Sequence, residues 1–195
     1  ILLPGKLIMS DKKTAPAQRE LYCVEGASAG GGSKKARDPK TQEILLFKGK
    51  LINAEKQSRV KVLANKEIQN MLMAIGVDLK TKESNYRVGK IIINSDADPD
   101  GLNISVLVLT ALYKLCPDVY DKGMVYVVDS PLFVASWKDK RWFGQTLKEV
   151  KKKAHKSATV TRLKGLGECS FQDLRSFAFD KKTRRMFKIK PIKSK

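Results

Sequence analysis

Ile91-Ile92-Ile93-Asn94-Ser95-Asp96-Ala97-Asp98-Pro99-Asp100-Gly101 is the stretch that decides how the chain is read. Three β-branched residues in an unbroken run suit a strand buried on both faces. Immediately after it, Asp96, Asp98 and Asp100 crowd three carboxylates into five residues. Like charges this close repel, so one carboxyl would keep its proton unless a cation neutralised the group. Hard oxygen donors without His or Cys favour Mg²⁺, with Mn²⁺ or Ca²⁺ as substitutes. An EF-hand loop counted from Asp96 would need a Glu at its twelfth position. Leu107 stands there, Pro99 sits inside the loop, and the preceding run is strand-like. A solvated acidic turn stays open as the plainer alternative.

Upstream, Leu21-Tyr22-Cys23-Val24 predicts a second buried strand, ending at Glu25. Glu25 and Asp96 would then both sit at strand carboxyl ends, where open α/β sheets hold their ligands. Gly26 to Ser33, followed by Lys34, Lys35 and Arg37, reads as a glycine-rich loop whose N–H groups can approach phosphates. It lacks the Gly-Lys-Ser/Thr of a Walker A loop, and a plain surface loop is the alternative. Two apolar stretches flank Lys48-Gly49-Lys50. Ile68, Met71, Leu72 and Ile75 recur at i, i+3, i+4 and i+7, predicting a helix from Asn65 that Gly76 stops.

Downstream, an apolar helix is predicted from about Leu102 to Leu115, ended by Pro117, with strands over Met124–Val128, Leu132–Ala135 and Thr159–Leu163. Thr146 and Glu149 form a capping box opening a basic helix to about His155. Ser170 is placed to cap a helix over Phe171–Phe179. Alternating strands and helices predict an α/β domain with a largely parallel sheet flanked by helices. In Arg162-Leu163-Lys164-Gly165-Leu166-Gly167-Glu168, glycines between cations suit a tight turn presenting charge to a phosphate, though an ordinary loop reads the same way.

The chain carries a formal net charge of +19, far more than solubility needs. That excess points to a polyanion, most simply nucleic acid. Three scattered cysteines with no CxxC pair argue against a disulfide framework and fit a reducing compartment. With one histidine, His155, and cysteines this scattered, a zinc site of the His/Cys type is not expected. No apolar run reaches the length of a membrane span, and the N-terminus is not a signal peptide. Starting at Ile1, the sequence reads as a piece of a longer polypeptide.

Taken together and in order, these stretches resemble the B subunits of the type IIA DNA topoisomerases: DNA gyrase, topoisomerase IV and their phage and eukaryotic relatives. The likeness is carried by Leu3-Pro4-Gly5-Lys6-Leu7, Glu20-Leu21-Tyr22-Cys23-Val24-Glu25-Gly26-Ala27-Ser28-Ala29-Gly30-Gly31 and Ala36-Arg37-Asp38. It continues through Lys48-Gly49-Lys50-Leu51-Ile52-Asn53-Ala54-Glu55-Lys56, Ile91–Gly101, Leu163–Glu168 and Asp180–Arg185. The resemblance implies a TOPRIM fold, Rossmann-like, over residues 20–135, after a lead-in at 1–19 and before a C-terminal extension at 136–195. It implies that Glu25, Asp96, Asp98 and Asp100 hold Mg²⁺, with Glu25 as general acid/base at the 3′-oxygen of the cut strand. Ser28, Lys34, Arg37, Lys48, Lys50, Arg162 and Lys164 become the expected contacts to double-stranded DNA. The attacking tyrosine would belong to an A-type subunit in an A₂B₂ assembly, and ATP would enter only through an ATPase domain outside these residues. The setting would be cytoplasmic, at a nucleoid or in an infected host. Ala27 replaces the family's Asp, Leu163 its usual Tyr, and Ser95 its common Thr; the metal ligands are intact. Another TOPRIM enzyme, a primase or nuclease, and a noncatalytic basic DNA-binding module are the competing readings.

Overall fold

The computed structural model describes residues 3–47, 50–78 and 85–190. Strands β2 (Glu20–Glu25) and β4 (Lys90–Asn94) lie side by side and parallel, paired from Glu20 against Lys90 to Val24 against Asn94. β3 (Gln42–Phe47) runs parallel on the far side of β2, and β5 (Val125–Val128) beyond β4. Antiparallel β1 (Leu7–Ile8) borders β3, and antiparallel β9 (Met186–Lys188) borders β5. The resulting order is β1-β3-β2-β4-β5-β9. Residues 1–19 thus contribute an edge strand, and the C-terminal extension returns to close the opposite edge.

Helices cover both faces, which is why the central strands read as unbroken apolar runs. Leu21, Cys23, Leu45, Ile91 and Ile93 pack with α2 (Arg59–Ala64), α3 (Lys66–Ile75), α4 (Pro99–Leu115) and α5 (Asp118–Asp121). Tyr22, Val24, Ile44 and Ile92 face the opposite layer. There they meet α1 (Ala27–Ala36), α7 (Phe171–Leu174) and a wide π-turn over Arg175–Phe179. Burying each such side chain contributes about 1.5–3 kcal/mol. α3 forms as its sequence predicts. The Asn65 side chain accepts from the N–H of Glu67 and Ile68, and Gly76 ends the helix at φ 97°.

Two expectations are corrected. The stretch Gly26 to Ser33 is not a loop: after Gly26, at φ 78°, the chain enters helix α1 directly. Three consecutive glycines disfavour a helix by about 1 kcal/mol each relative to Ala. They are tolerated because α1 packs close: a Cβ on Gly30 would stand 2.8 Å from the Leu46 side chain, and one on Gly32 2.7 Å from Leu174. The second correction concerns α4, which starts at Pro99 rather than near Leu102, with Asp98 as its cap. The helix predicted over Phe171–Phe179 forms but widens after Leu174, where Asp180 N–H donates to the Arg175 carbonyl at 2.7 Å.

A second, antiparallel sheet has the order β7-β6-β8, from β6 (Phe133–Trp137), β7 (Lys140–Gly144) and β8 (Thr159–Arg162). A boundary at 135/136 would fall within β6. α6 (Leu147–Lys153) lies against this sheet, with Val150 buried beside Gly144. Thr146 caps it, accepting from Glu149 N–H at 3.1 Å, while the Glu149 carboxylate reaches back to Gln145 N–H at 2.8 Å. Leu163 N–H donates to the Leu132 carbonyl at 2.9 Å, so this small sheet leaves and rejoins the chain at one point.

Candidate metal centre

The order of the parallel strands reverses between β2 and β4. β3 lies to one side of β2 and is reached through α1; β4 and β5 lie to the other, reached through helices on the opposite face. Such a reversal opens a crevice at the strands' carboxyl ends. Glu25 is the last residue of β2, and the Asp96 loop leaves β4 beside it. The two motifs, 71 positions apart in sequence, therefore share one sheet edge.

Each carboxylate is held differently. Asp96 is half-buried, and its Oδ1 accepts from Leu166 N–H at 2.7 Å. Gly165 makes that approach possible, since a Cβ there would stand 3.0 Å from Asp96 Oδ2. Asp98 caps α4, accepting from Gly101 N–H at 2.8 Å. Asp100 is exposed in the helix's first turn, where the helix dipole favours negative charge. Gly101 lies tight against the loop: a Cβ would fall 2.2 Å from the Asp96 carbonyl oxygen. Ser130 Oγ donates to the Ser95 carbonyl at 2.8 Å, and Ser95 and Ser105 share a hydroxyl hydrogen bond of 2.8 Å, so the loop is pinned from both sides.

Glu25 is half-buried, and its carboxyl is pushed above the ordinary range, first by burial and then by the charges of Asp96, Asp98 and Asp100. Burial leads that shift, and the negative charge of the three aspartates adds to it. Among the described residues, no three His, Cys, Asp or Glu side chains form a ready-made metal cage. Asp96 and Asp98 are instead each held by a backbone N–H group. The donor set nonetheless fits a hard divalent cation. It offers only carboxylate oxygens, and the N–H contacts to Asp96 and Asp98 each engage Oδ1 and leave Oδ2 to a cation.

Of the expected DNA contacts, Arg162 and Lys164 come to the centre. With Asp98, Pro99, Ser130 and Gly165 they line an open cleft of about 350 Å³. Lys34 and Lys50 are exposed. Arg37 is engaged instead: its Nη1 donates to the Gln42 carbonyl at 2.6 Å, and burial lowers its pKa. Lys48 and the Ser28 side chain lie outside the described residues. Sequence reading missed the backbone clamp of Leu166 on Asp96, the serine pins and Asn94. Asn94 ends β4 fully buried, with neither side-chain polar atom partnered among the described residues. No periodicity marks such residues; only the glycine preceding Leu166 hinted at a close approach.

Among the described residues, no helix is long and apolar enough to cross a membrane. Residues 20–129 match the Toprim domain family. The chain is 38% identical over 199 residues to the B subunit of DNA topoisomerase 4 from Streptococcus pneumoniae, covering 96% of this chain and 30% of that protein. It is 39% identical to the DNA gyrase B subunit of Metamycoplasma hominis, covering 96% and 30%. Against the DNA gyrase B subunit of Archaeoglobus fulgidus the identity is 40% over 178 residues, covering 88% and 28%. The chain therefore spans under a third of the length of these relatives. Parallel sheet, strand-end carboxylates and sequence agree that the chain belongs to the Toprim domain family, in the form found in type IIA topoisomerase B subunits.

Proposed function

We propose that this chain provides the acid/base and metal-holding part of a DNA cleavage and religation centre, working with a nucleophile on another subunit. The observation that carries the reading is the meeting of Glu25 with the Asp96-Asp98-Asp100 cluster at one sheet edge, closed over by the cationic Arg162–Leu166 turn. Glu25, Asp96, Asp98 and Asp100 would hold Mg²⁺, which stabilises charge on a reacting phosphate when bound. Glu25, its pKa raised, is suited to give a proton to a departing 3′-oxygen and to take it back on religation. Arg162 and Lys164 bind and orient the phosphate across the cleft from Asp98.

None of the five tyrosines is placed to attack. Tyr22 and Tyr120 are buried, Tyr86 donates to Asp118, and Tyr126 packs into the core. Tyr113 is exposed but lies 13 residues along α4 from Asp100, about 20 Å by helix rise. This supports a nucleophile on an A-type partner in an A₂B₂ assembly, acting on double-stranded DNA in the cytoplasm. ATP would act through an ATPase domain elsewhere in the assembly. Exposed Leu102, Val106 and Tyr113, on one face of α4, offer apolar surface for such a partner.

The test is plasmid cleavage with Mg²⁺ and detergent trapping. The chain alone should give no covalent adduct. Addition of an A-type subunit should give linear DNA, with the adduct on that subunit, and Glu25→Gln should reduce cleavage at least about a hundredfold, the usual weight of one acid/base group. An adduct on this chain would overturn the assignment.

A further inference from the structure

Residues 138–164 hold ten Lys and Arg against Asp139 and Glu149 alone, a net +8 out of the chain's +19, in the module formed by β6, β7, β8 and α6. All of this module lies beyond the stretch matched by the Toprim family. Glu149 is already engaged, by Lys153 at 2.7 Å and by Arg185, and Arg141 is paired with Asp173. That leaves Lys140, Lys148, Lys151, Lys152 and Lys156 exposed, with no ion pair among the described residues. The buried side of α6 is settled by Val150 against Gly144, so its lysines face outward.

The module meets the metal centre at one end. β8 ends at Arg162, on the cleft, paired through Phe133; β6 then carries the sheet outward to Trp137, opposite Lys140. The four-residue step from Phe133 to Trp137 spans about 13 Å at strand rise, about four base pairs of duplex. Unneutralised cations thus begin at the cleft and recur beyond it.

The aromatic residues indicate the kind of nucleic acid. Trp137 is stacked on His155, with ring centroids 3.8 Å apart and planes 12° from parallel, and Lys138 sits 4.6 Å from its ring. Phe143 packs edge-on against Phe177. Single-strand binders present open aromatic faces to unstacked bases; here Trp137 and Phe143 are occupied, and Trp142 in β7 is half-buried. Phosphate contact from lysines alone needs no such platform.

We infer that the β6–β8 module is a second grip, holding the phosphate backbone of duplex DNA that flanks the metal centre. The inference rests on the DNA-cleavage function proposed for the centre. It is tested with the whole chain and a duplex of about 30 base pairs, three turns, by fluorescence anisotropy across a salt series. The triple variant Lys148→Gln, Lys151→Gln, Lys152→Gln is compared with Lys12→Gln, Lys13→Gln, Lys40→Gln, which removes the same charge from exposed positions elsewhere. The first should weaken binding about tenfold and flatten the log–log salt slope by about 2–3, since each lost phosphate contact removes about 0.9. The second, at the amino end of the sheet and opposite the carboxyl ends that carry the metal centre, should change affinity less than about twofold. Equal effects of the two variants, or a loss confined to single-stranded DNA, would overturn the second grip while leaving the cleavage function intact. Absence of duplex binding by the unmodified chain would overturn both.

Discussion

Asp96→Asn and Asp96→Ala differ in what they leave behind. Asn keeps an oxygen for Leu166 N–H but removes the charge; Ala removes both. Both variants should abolish the Mg²⁺ signal in calorimetry, because a hard cation needs the carboxylate. Only Ala should also lower stability, by about 1–3 kcal/mol in denaturant unfolding, since it strands a backbone donor at a buried residue. If both variants unfold alike, the Leu166 contact has no structural weight; if either keeps the metal signal, Asp96 is not a ligand.

Helix α1 gives a prediction whose sign opposes propensity. Gly→Ala in an exposed helix is stabilising by about 1 kcal/mol. At Gly30 and Gly32 the added methyl would enter the Leu46 and Leu174 side chains, and overpacking costs about 1–3 kcal/mol. Gly32→Ala, whose methyl meets the fully buried Leu174, should therefore lower the midpoint of chemical unfolding, while Gly31→Ala, which meets nothing within 4 Å, should raise it. The same contacts explain what could be read in advance. α3 is legible because Asn65, the apolar spacing and Gly76 all act locally. The central strands are legible because burial on both faces leaves an unbroken apolar run. α1 is not, because its helicity is decided by residues from β3 and α7. At the centre, Glu25 and the aspartates can be named from strand-end position, but a clamp from a residue 70 positions away cannot.

Across the whole molecule, a polar knot ties the last segment to the sheet's amino end. Glu20 accepts from both Arg184 Nη atoms, at 2.6 and 2.9 Å, and from Lys90 at 3.0 Å and Gln42 at 3.1 Å. Burial alone would raise the Glu20 pKa; the Arg184 hydrogen bond leads the opposing contacts that bring it down to about 2. An unfolded Glu titrates near about 4.3. The knot's stabilisation is thus fully present above that value and drains away as pH falls towards 2, amounting to about 3 kcal/mol over the window. Arg184→Ala should remove this acid-sensitive contribution and destabilise the chain by about 3–5 kcal/mol at neutral pH, by leaving a buried charge unpaired. A pH–stability curve that keeps its acid limb in the variant would show that Glu20 is not its source. By the same logic a piece ending at residue 129, the limit of the Toprim match, should not fold. It would lack β9 and Arg184, and Leu174, Phe177 and Phe179 from the second core.

The bond from Leu163 to Leu132 bears on ancestry as much as on architecture. A segment whose entrance and exit are hydrogen-bonded neighbours can grow, shrink or be exchanged without altering the path of the chain on either side. What lies between residues 133 and 161 can thus change in length or sequence without moving the carboxylates, Arg162 or the Leu166 clamp.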